Sequence, residues 1–276
     1  MRVDAHLHVW RALPADVPSP PTVITGHCNV PIELALAYFN EHGIDRAVLV
    51  QPIYPGEDNS YIADTAAAQP DRLAAVCVVD PRVPGAADRL THWVNERGCK
   101  GLRLRPMIPD EAQVFGTPDA DPLWESARRH NVVVSVLTGP EHLGTLGVLA
   151  ERFPEVAIVV DHMAHPDPAD GVQSPAFKAL LDLVKHARVF IKISGFYHFS
   201  AQPYPNEDTW DFVRAVYETF GPRRLLWGSD FPHVLLQTGY RRSLLMAERF
   251  FHFIGPDDRN RLMGENAADL YWPEND

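Results

Sequence analysis

Two histidines one residue apart stand almost at the start of the chain, in the stretch MRVDAHLHVW. Paired imidazoles can ligate a divalent metal ion, act in acid–base chemistry, or simply be accommodated as structure. Thirteen histidines in 276 residues produce fewer than one such pair by chance, so His6 and His8 decide nothing alone. Other reactive side chains occur in similar settings. Asp161-His162 directly follows the apolar run VAIVV, and Asp230 and His233 follow LLWG in the stretch WGSDFPH. Arg103 and Arg105 alternate with leucines in KGLRLRP, and Lys192 and Ser194 alternate with isoleucines in KISG and its preceding residues. Each group ends a short β-branched or apolar run, so the placement of those runs determines whether the groups can meet.

Eight such runs recur, at 2–9, 46–52, 73–81, 100–106, 131–139, 156–162, 188–195 and 224–230, separated by helix-like stretches that stop at Gly or before Pro. Eight strands alternating with helices in a chain of this length predict a single (β/α)8 TIM barrel domain over residues 1–276, with a doubly wound open sheet as the alternative. Barrels hold their chemistry at the C-terminal ends of the strands, where the polar groups fall. Side chains two apart on a strand share a face. Asp4, His6 and His8 are therefore expected inside the barrel, with Val3, Ala5 and Leu7 against the helices. Lys192, if inward, needs a counter-charge, for which Asp4 is the candidate; otherwise it snorkels between helices. The Pro-rich segment 12–31 is expected either as a plain surface excursion or as a lid carrying His27, Cys28 and Asn29 to the site.

A net charge of −11 argues against nucleic acid, whose phosphates require clustered Lys and Arg. No apolar run is long enough to span a bilayer. Cys28, Cys77 and Cys99 suggest neither a disulfide framework nor a zinc knuckle. The expectation is a cytoplasmic protein, monomeric or homodimeric, whose partner is a small molecule.

Taken together and in order, DAHLH, VQPIYPGEDNSYI, VVDPRV, KGLRLRP, VVDHMAHP, KISG and WGSDFPH resemble the amidohydrolase-related family, in particular its lactonase branch of pyrone dicarboxylate hydrolases and fuconolactonases. The resemblance spans the whole chain and implies a distorted barrel that hydrolyses a cyclic ester. It implies that His6, His8, His162 and Asp230 are the catalytic set, and that His6, His8 and Asp230 are the metal ligands where a metal is held. Family members that hold a metal add a histidine from the fifth strand. Here that strand reads VVVSVLTGPEHL, with His142 beyond its end, as in the metal-independent members. One divalent ion, zinc by its ligand set, is the expectation, with a metal-free enzyme as the alternative. His165 and His198 stand where pyrone dicarboxylate hydrolases place carboxylate-gripping arginines, which implies a less anionic lactone, hydroxylated or flanked by an aromatic group. Gln51, Tyr54, Arg103, Arg105, His165, His198 and His233 are the expected substrate contacts. In this reading Asp230 takes a proton from water, while His6, His8 and His162, or the ion, stabilise the oxyanion. A decarboxylase, a lactone isomerase and a barrel that binds without catalysis are the competing readings.

Overall fold

The computed structural model describes residues 1–16, 24, 26–53 and 56–273. Eight strands, β1 (Val3–Leu7), β2 (Arg46–Val50), β3 (Leu73–Val78), β4 (Gly101–Leu104), β5 (Val133–Val136), β6 (Ile158–Val160), β7 (Val189–Ile193) and β8 (Leu225–Trp227), form one parallel sheet in sequence order. That order removes the doubly wound alternative, whose strand sequence reverses at a switch point. The sheet curls until its two edges meet. The seam is made past the end of β8, where Leu7 bridges Phe231, Asp230 N donates to His6 O at 2.8 Å and His8 N donates to Phe231 O at 2.7 Å. Helices between the strands cover the outside, among them Ile32–His42, Asp121–Arg129, Leu143–Arg152 and Trp210–Phe220.

The strands are nearly all apolar because both faces are buried. Val48, Val50, Val76, Val133, Val159 and Leu226 fill the barrel interior, while their alternating neighbours such as Leu49, Cys77, Leu102 and Val134 pack beneath the helices. After β8 come short helices at Val234–Gln237, Tyr240–Leu245, Pro256–Asn260 and Asn266–Tyr271. The last of these places Ala267 and fully buried Tyr271 against the interior cluster, which plugs the end of the barrel opposite the site. No helix among the described residues is long and apolar enough to cross a membrane.

β1 departs from the simple alternation expected of it. Val3 and Ala5 belong to the interior cluster, and Asp4 points outward, where it accepts from Ser229 N and Tyr240 OH, both at 2.9 Å. The cause is a register shift between Asp4 and Leu7. A bulge adds one residue to one strand and reverses which side chains face inward beyond it. His6 thereby turns into the barrel although Asp4 does not, and Asp4 is unavailable to Lys192.

Segment 12–31 also differs from the lid reading. An antiparallel bridge between Trp10 and Val30 closes its base, while residues 17–23 and 25 lie outside the described residues. His27 and Cys28 are exposed and do not line the cavity at the strand ends; Ile24 does.

Candidate active site

The reactive groups occupy the last positions of the strands, as His6, Arg103 and Lys192 do, or the first positions past their ends, as His8, His162 and Asp230 do. The polar tail of each apolar run has left the sheet and bends over the barrel mouth. At the end of β1, the Nε2 atoms of His6 and His8 lie 3.2 Å apart. His8 Nδ1 donates to the Val50 carbonyl at 2.7 Å, which fixes its tautomer and leaves the Nε2 lone pair facing His6 and Asp230. His6 Nδ1 lies 3.0 Å from Lys192 Nζ and 3.4 Å from Asp161 Oδ1. Two proton placements satisfy this geometry. Lys192 can donate to Nδ1, with His6 Nε2–H donating to His8; or Nδ1–H donates to Asp161, which frees His6 Nε2 as a ligand. Burial first, and then the Lys192 ammonium, lower the His6 pKa to about 3, so the ring stays neutral.

Asp161 is the hub beneath these rings. Its carboxylate pairs with Lys192 at 2.9 Å and with Arg103 at 3.2 Å, all three groups being buried. Burial would raise the Asp161 carboxyl, but Lys192, His6 and Arg103 outweigh it and hold it well below the usual range. Lys192 thus faces inward as one reading expected, with Asp161 as its partner. It also donates to Ser135 Oγ at 3.1 Å.

After β6 the chain makes a left-handed turn, with φ of 52° at His162, 52° at Met163, 58° at Ala164 and 51° at His165. Four successive non-glycine residues in this region store backbone strain, each residue disfavoured by about 1–2 kcal/mol. The turn brings His162 and His165 to one wall, their ring centroids 5.3 Å apart. His162 Nδ1 meets Ser194 Oγ at 2.8 Å. Gly195, at φ 65°, leaves the space this ring needs, since a Cβ there would stand 2.5 Å from His162 Nδ1. Burial lowers the His162 pKa well below that of free histidine.

Asp230, itself at φ 58°, joins the two sides of the mouth. Its Oδ1 lies 3.3 Å from His8 Nε2 and 3.6 Å from His6 Nε2. Its Oδ2 accepts from His198 Nε2 at 2.9 Å and from the Tyr197 hydroxyl. Burial pushes the Asp230 carboxyl up, yet His162 and the hydrogen bond from His198 hold it well below the ordinary carboxylate range, so it is ionised.

His8, His162, Tyr197, His198 and Asp230 line a cavity of about 610 Å³ together with Arg103, His165 and His233, while His6, Asp161 and Lys192 are fully buried off its wall. The size suits a small molecule. Two expected substrate contacts are not on its wall. Arg105 is engaged by Glu111, to which both its Nε and Nη2 donate. Gln51 turns into the loop after β2 and donates to Gly56 O at 3.1 Å and Asp58 O at 2.9 Å, serving as a brace. Tyr54 lies outside the described residues. The sequence does not single out Tyr197, although it sits beside His198 in SGFYHF, and it marks Asp161 as a reactive group ahead of His162 without assigning it a role. The apolar wall residues Ile53, Met107, Ile108 and Leu236 carry no sequence signal of function.

The three atoms His6 Nε2, His8 Nε2 and Asp230 Oδ1 are separated by 3.2, 3.3 and 3.6 Å. Ligands placed at ~2.0–2.1 Å around a tetrahedral zinc ion stand about 3.3 Å apart, so the set fits such an ion. His162 offers a further nitrogen within 4.8 Å of the His6 and Asp230 ligand atoms. Beyond β5 the cavity is lined by Leu137, and His142 lies in the turn Pro140–His142 away from it.

Comparison with known proteins agrees with the geometry. An L-fucono-1,5-lactonase of Burkholderia ambifaria is 32% identical over 98% of this chain and 95% of its own length. A 4-sulfomuconolactone hydrolase of Rhizobium radiobacter is 30% identical over 83% of this chain and 75% of its own. The crystal structure of a putative 2-pyrone-4,6-dicarboxylic acid hydrolase from Pseudomonas putida superposes with a TM-score of 0.85 at 25% identity, covering 100% of this chain and 98% of that one. The amidohydrolase family model matches residues 3–272. With a closed barrel, histidines at the end of β1 and an aspartate after β8, the chain belongs to the amidohydrolase family.

Proposed function

We propose that this protein hydrolyses the ester bond of a small lactone at the C-terminal mouth of the barrel. The observation that carries the reading is the buried, ionised Asp230 standing between His6 and His8 on one side and Tyr197 and His198 on the other. Lactone hydrolysis needs a base for water, donors for the oxyanion and a proton for the departing ring oxygen. Asp230 takes the proton from the attacking water and returns it to the ring oxygen as the C–O bond breaks, so one carboxyl group serves both steps. Tyr197 and His198 hold that carboxylate by its Oδ2 edge. His162, oriented by Ser194, and Arg103, fixed by Asp161, supply the donors beside it. His6, His8 and Asp230 would hold a divalent ion, zinc by its preference for imidazole and carboxylate. Such an ion polarises a carbonyl and acidifies water. The decarboxylase reading gains nothing from the structure, since no histidine stands at the end of β5.

The test is hydrolysis of a lactone panel, followed by proton release, with wild type and Asp230→Asn. The expected result is turnover by the wild type and loss of at least about 1,000-fold in the variant with an unchanged circular dichroism spectrum. Full activity in the variant removes Asp230 from the role.

A further inference from the structure

Granting the lactonase reading, we infer that the substrate is an uncharged lactone bearing an apolar substituent, which lies along the outer wall of the cavity. Charge balance and the chemistry of the rim both point this way.

The protein's own buried charges beneath the cavity cancel before any ion at His6, His8 and Asp230 is counted, so recognition of an anionic substituent turns on which cationic side chains reach the cavity. Asp161 and Asp230 are matched by Arg103 and Lys192. Arg103 commits one N–H each from Nε and Nη2 to Asp161 and one from Nη1 to the Gln51 carbonyl, which leaves its remaining N–H groups for the oxyanion, and Lys192 is enclosed by Asp161, Ser135 and His6. The next nearest guanidinium on β4's line, Arg105, is held by Glu111 off the cavity wall. Among the described residues no other lysine or arginine lines the cavity. By sequence, positions 17–23, 25, 54 and 55 include neither Lys nor Arg. A substrate carboxylate or sulfonate would meet imidazoles at His165 and His198, which lack the paired, permanently charged donors of arginine. A group that must shed its hydration to enter requires such a partner.

The outer wall is apolar and open. Only six large apolar side chains are strongly exposed among the described residues, and three of them line this cavity: Ile53 at 41%, Met107 at 43% and Leu236 at 54%. Ile108 and Leu137 continue the surface inward. Exposed apolar side chains gathered at one mouth mark a binding surface, whereas scattered ones need no explanation. Among the described residues the outer wall supplies one amide, Gln237, for hydrogen bonding, too little for a polyhydroxylated ring. Water removed from an alkyl or aryl group by Ile53, Met107 and Leu236 provides the selectivity that charge does not.

The test compares kcat/KM on δ-valerolactone, δ-hexalactone, δ-octalactone and δ-decalactone, with an aldono-1,5-lactone and 2-pyrone-4,6-dicarboxylate as hydrophilic and anionic probes. Each added methylene that contacts the wall should raise kcat/KM by about three- to four-fold, until the chain outgrows the rim. The anionic probe should be the poorest of the set. The paired substitution Met107→Ser and Leu236→Ser should flatten this chain-length dependence, read as the ratio of δ-decalactone to δ-valerolactone. Hydrolysis that favours the aldonolactone or the dicarboxylate, or a chain-length series that is flat in the wild type or unaltered in the double variant, overturns the substrate class while leaving lactone hydrolysis standing. Turnover of no lactone overturns the underlying reading and this one with it.

Discussion

Gly195→Ala should separate the position of His162 from the stability of the barrel. Gly195 has φ 65°, where a side chain is disfavoured, and a Cβ there would approach His162 Nδ1 to 2.5 Å. That atom is held by Ser194 Oγ at 2.8 Å, so the ring cannot yield without losing its hydrogen bond. The backbone strain costs about 1–2 kcal/mol, offset by about 0.4–1 kcal/mol because alanine restricts the unfolded chain. Loss of the Ser194 contact adds about 1 kcal/mol, for a total near 2 kcal/mol. In a protein of this size that lowers Tm by roughly 4–8 °C. Activity should fall much further, about 100-fold in kcat/KM, because a donor displaced by an ångström no longer meets the oxyanion. Gly85→Ala is the matched control. Gly85 has φ 80° with nothing within 4 Å of a Cβ, so it carries the strain without the collision. Its melting temperature should drop by roughly 2–4 °C with kcat/KM unchanged. Differential scanning fluorimetry and initial rates on one lactone measure both quantities. If Gly195→Ala loses no more activity than Gly85→Ala, the position of His162 does not matter and its assigned role is wrong.

Other outcomes follow from the same network. Lys192→Met removes the ammonium that pairs with Asp161 at 2.9 Å, and should destabilise the fold by about 3–5 kcal/mol in urea unfolding, since it leaves a buried carboxylate short of a partner; a neutral result would show that Arg103 suffices. Tyr197→Phe deletes one donor to Asp230 Oδ2 and should lower kcat/KM about ten-fold with little change in Tm, as expected for a hydrogen bond to a charged group. Elemental analysis should find about one divalent ion per chain, and chelator dialysis should reduce activity that zinc restores. A metal-free protein of full activity would remove the ligand role from His6 and His8 and leave the oxyanion to His162 and Arg103.

The eight apolar runs and their order were legible because each strand is buried on both faces and needs β-branched or small apolar residues throughout. The runs extended past the true strand ends, to Asp230 where β8 stops at Trp227 and to His162 where β6 stops at Val160. That overrun is informative: the polar tails are the residues that leave the sheet to build the mouth. The reversal within β1 was hidden, because D-A-H-L-H alternates evenly and nothing in it announces a bulge. Partners remote in sequence were equally hidden. Lys192 finds Asp161 and not Asp4 because of that reversal. Arg105 is taken by Glu111, which only the fold of the intervening residues brings back to it. Tyr197 read as an ordinary aromatic until its hydroxyl was seen against Asp230.

The seam between the first and last strands has a consequence for how the protein comes to be active. Leu7 and Phe231, and the backbone of His6, His8 and Asp230, are the stitches that close the sheet. More than two hundred residues separate the two sides, a long loop whose closure entropy must be met before the contacts reward it. Residues 3–8 emerge in synthesis long before residue 230 and wait for the chain to reach it. Until then there is an open ribbon with neither a complete cylinder nor a centre to hold water against an ester. Circularisation and acquisition of chemistry are one event, so a partly assembled molecule is inert, and regained turnover reports that the ring has shut.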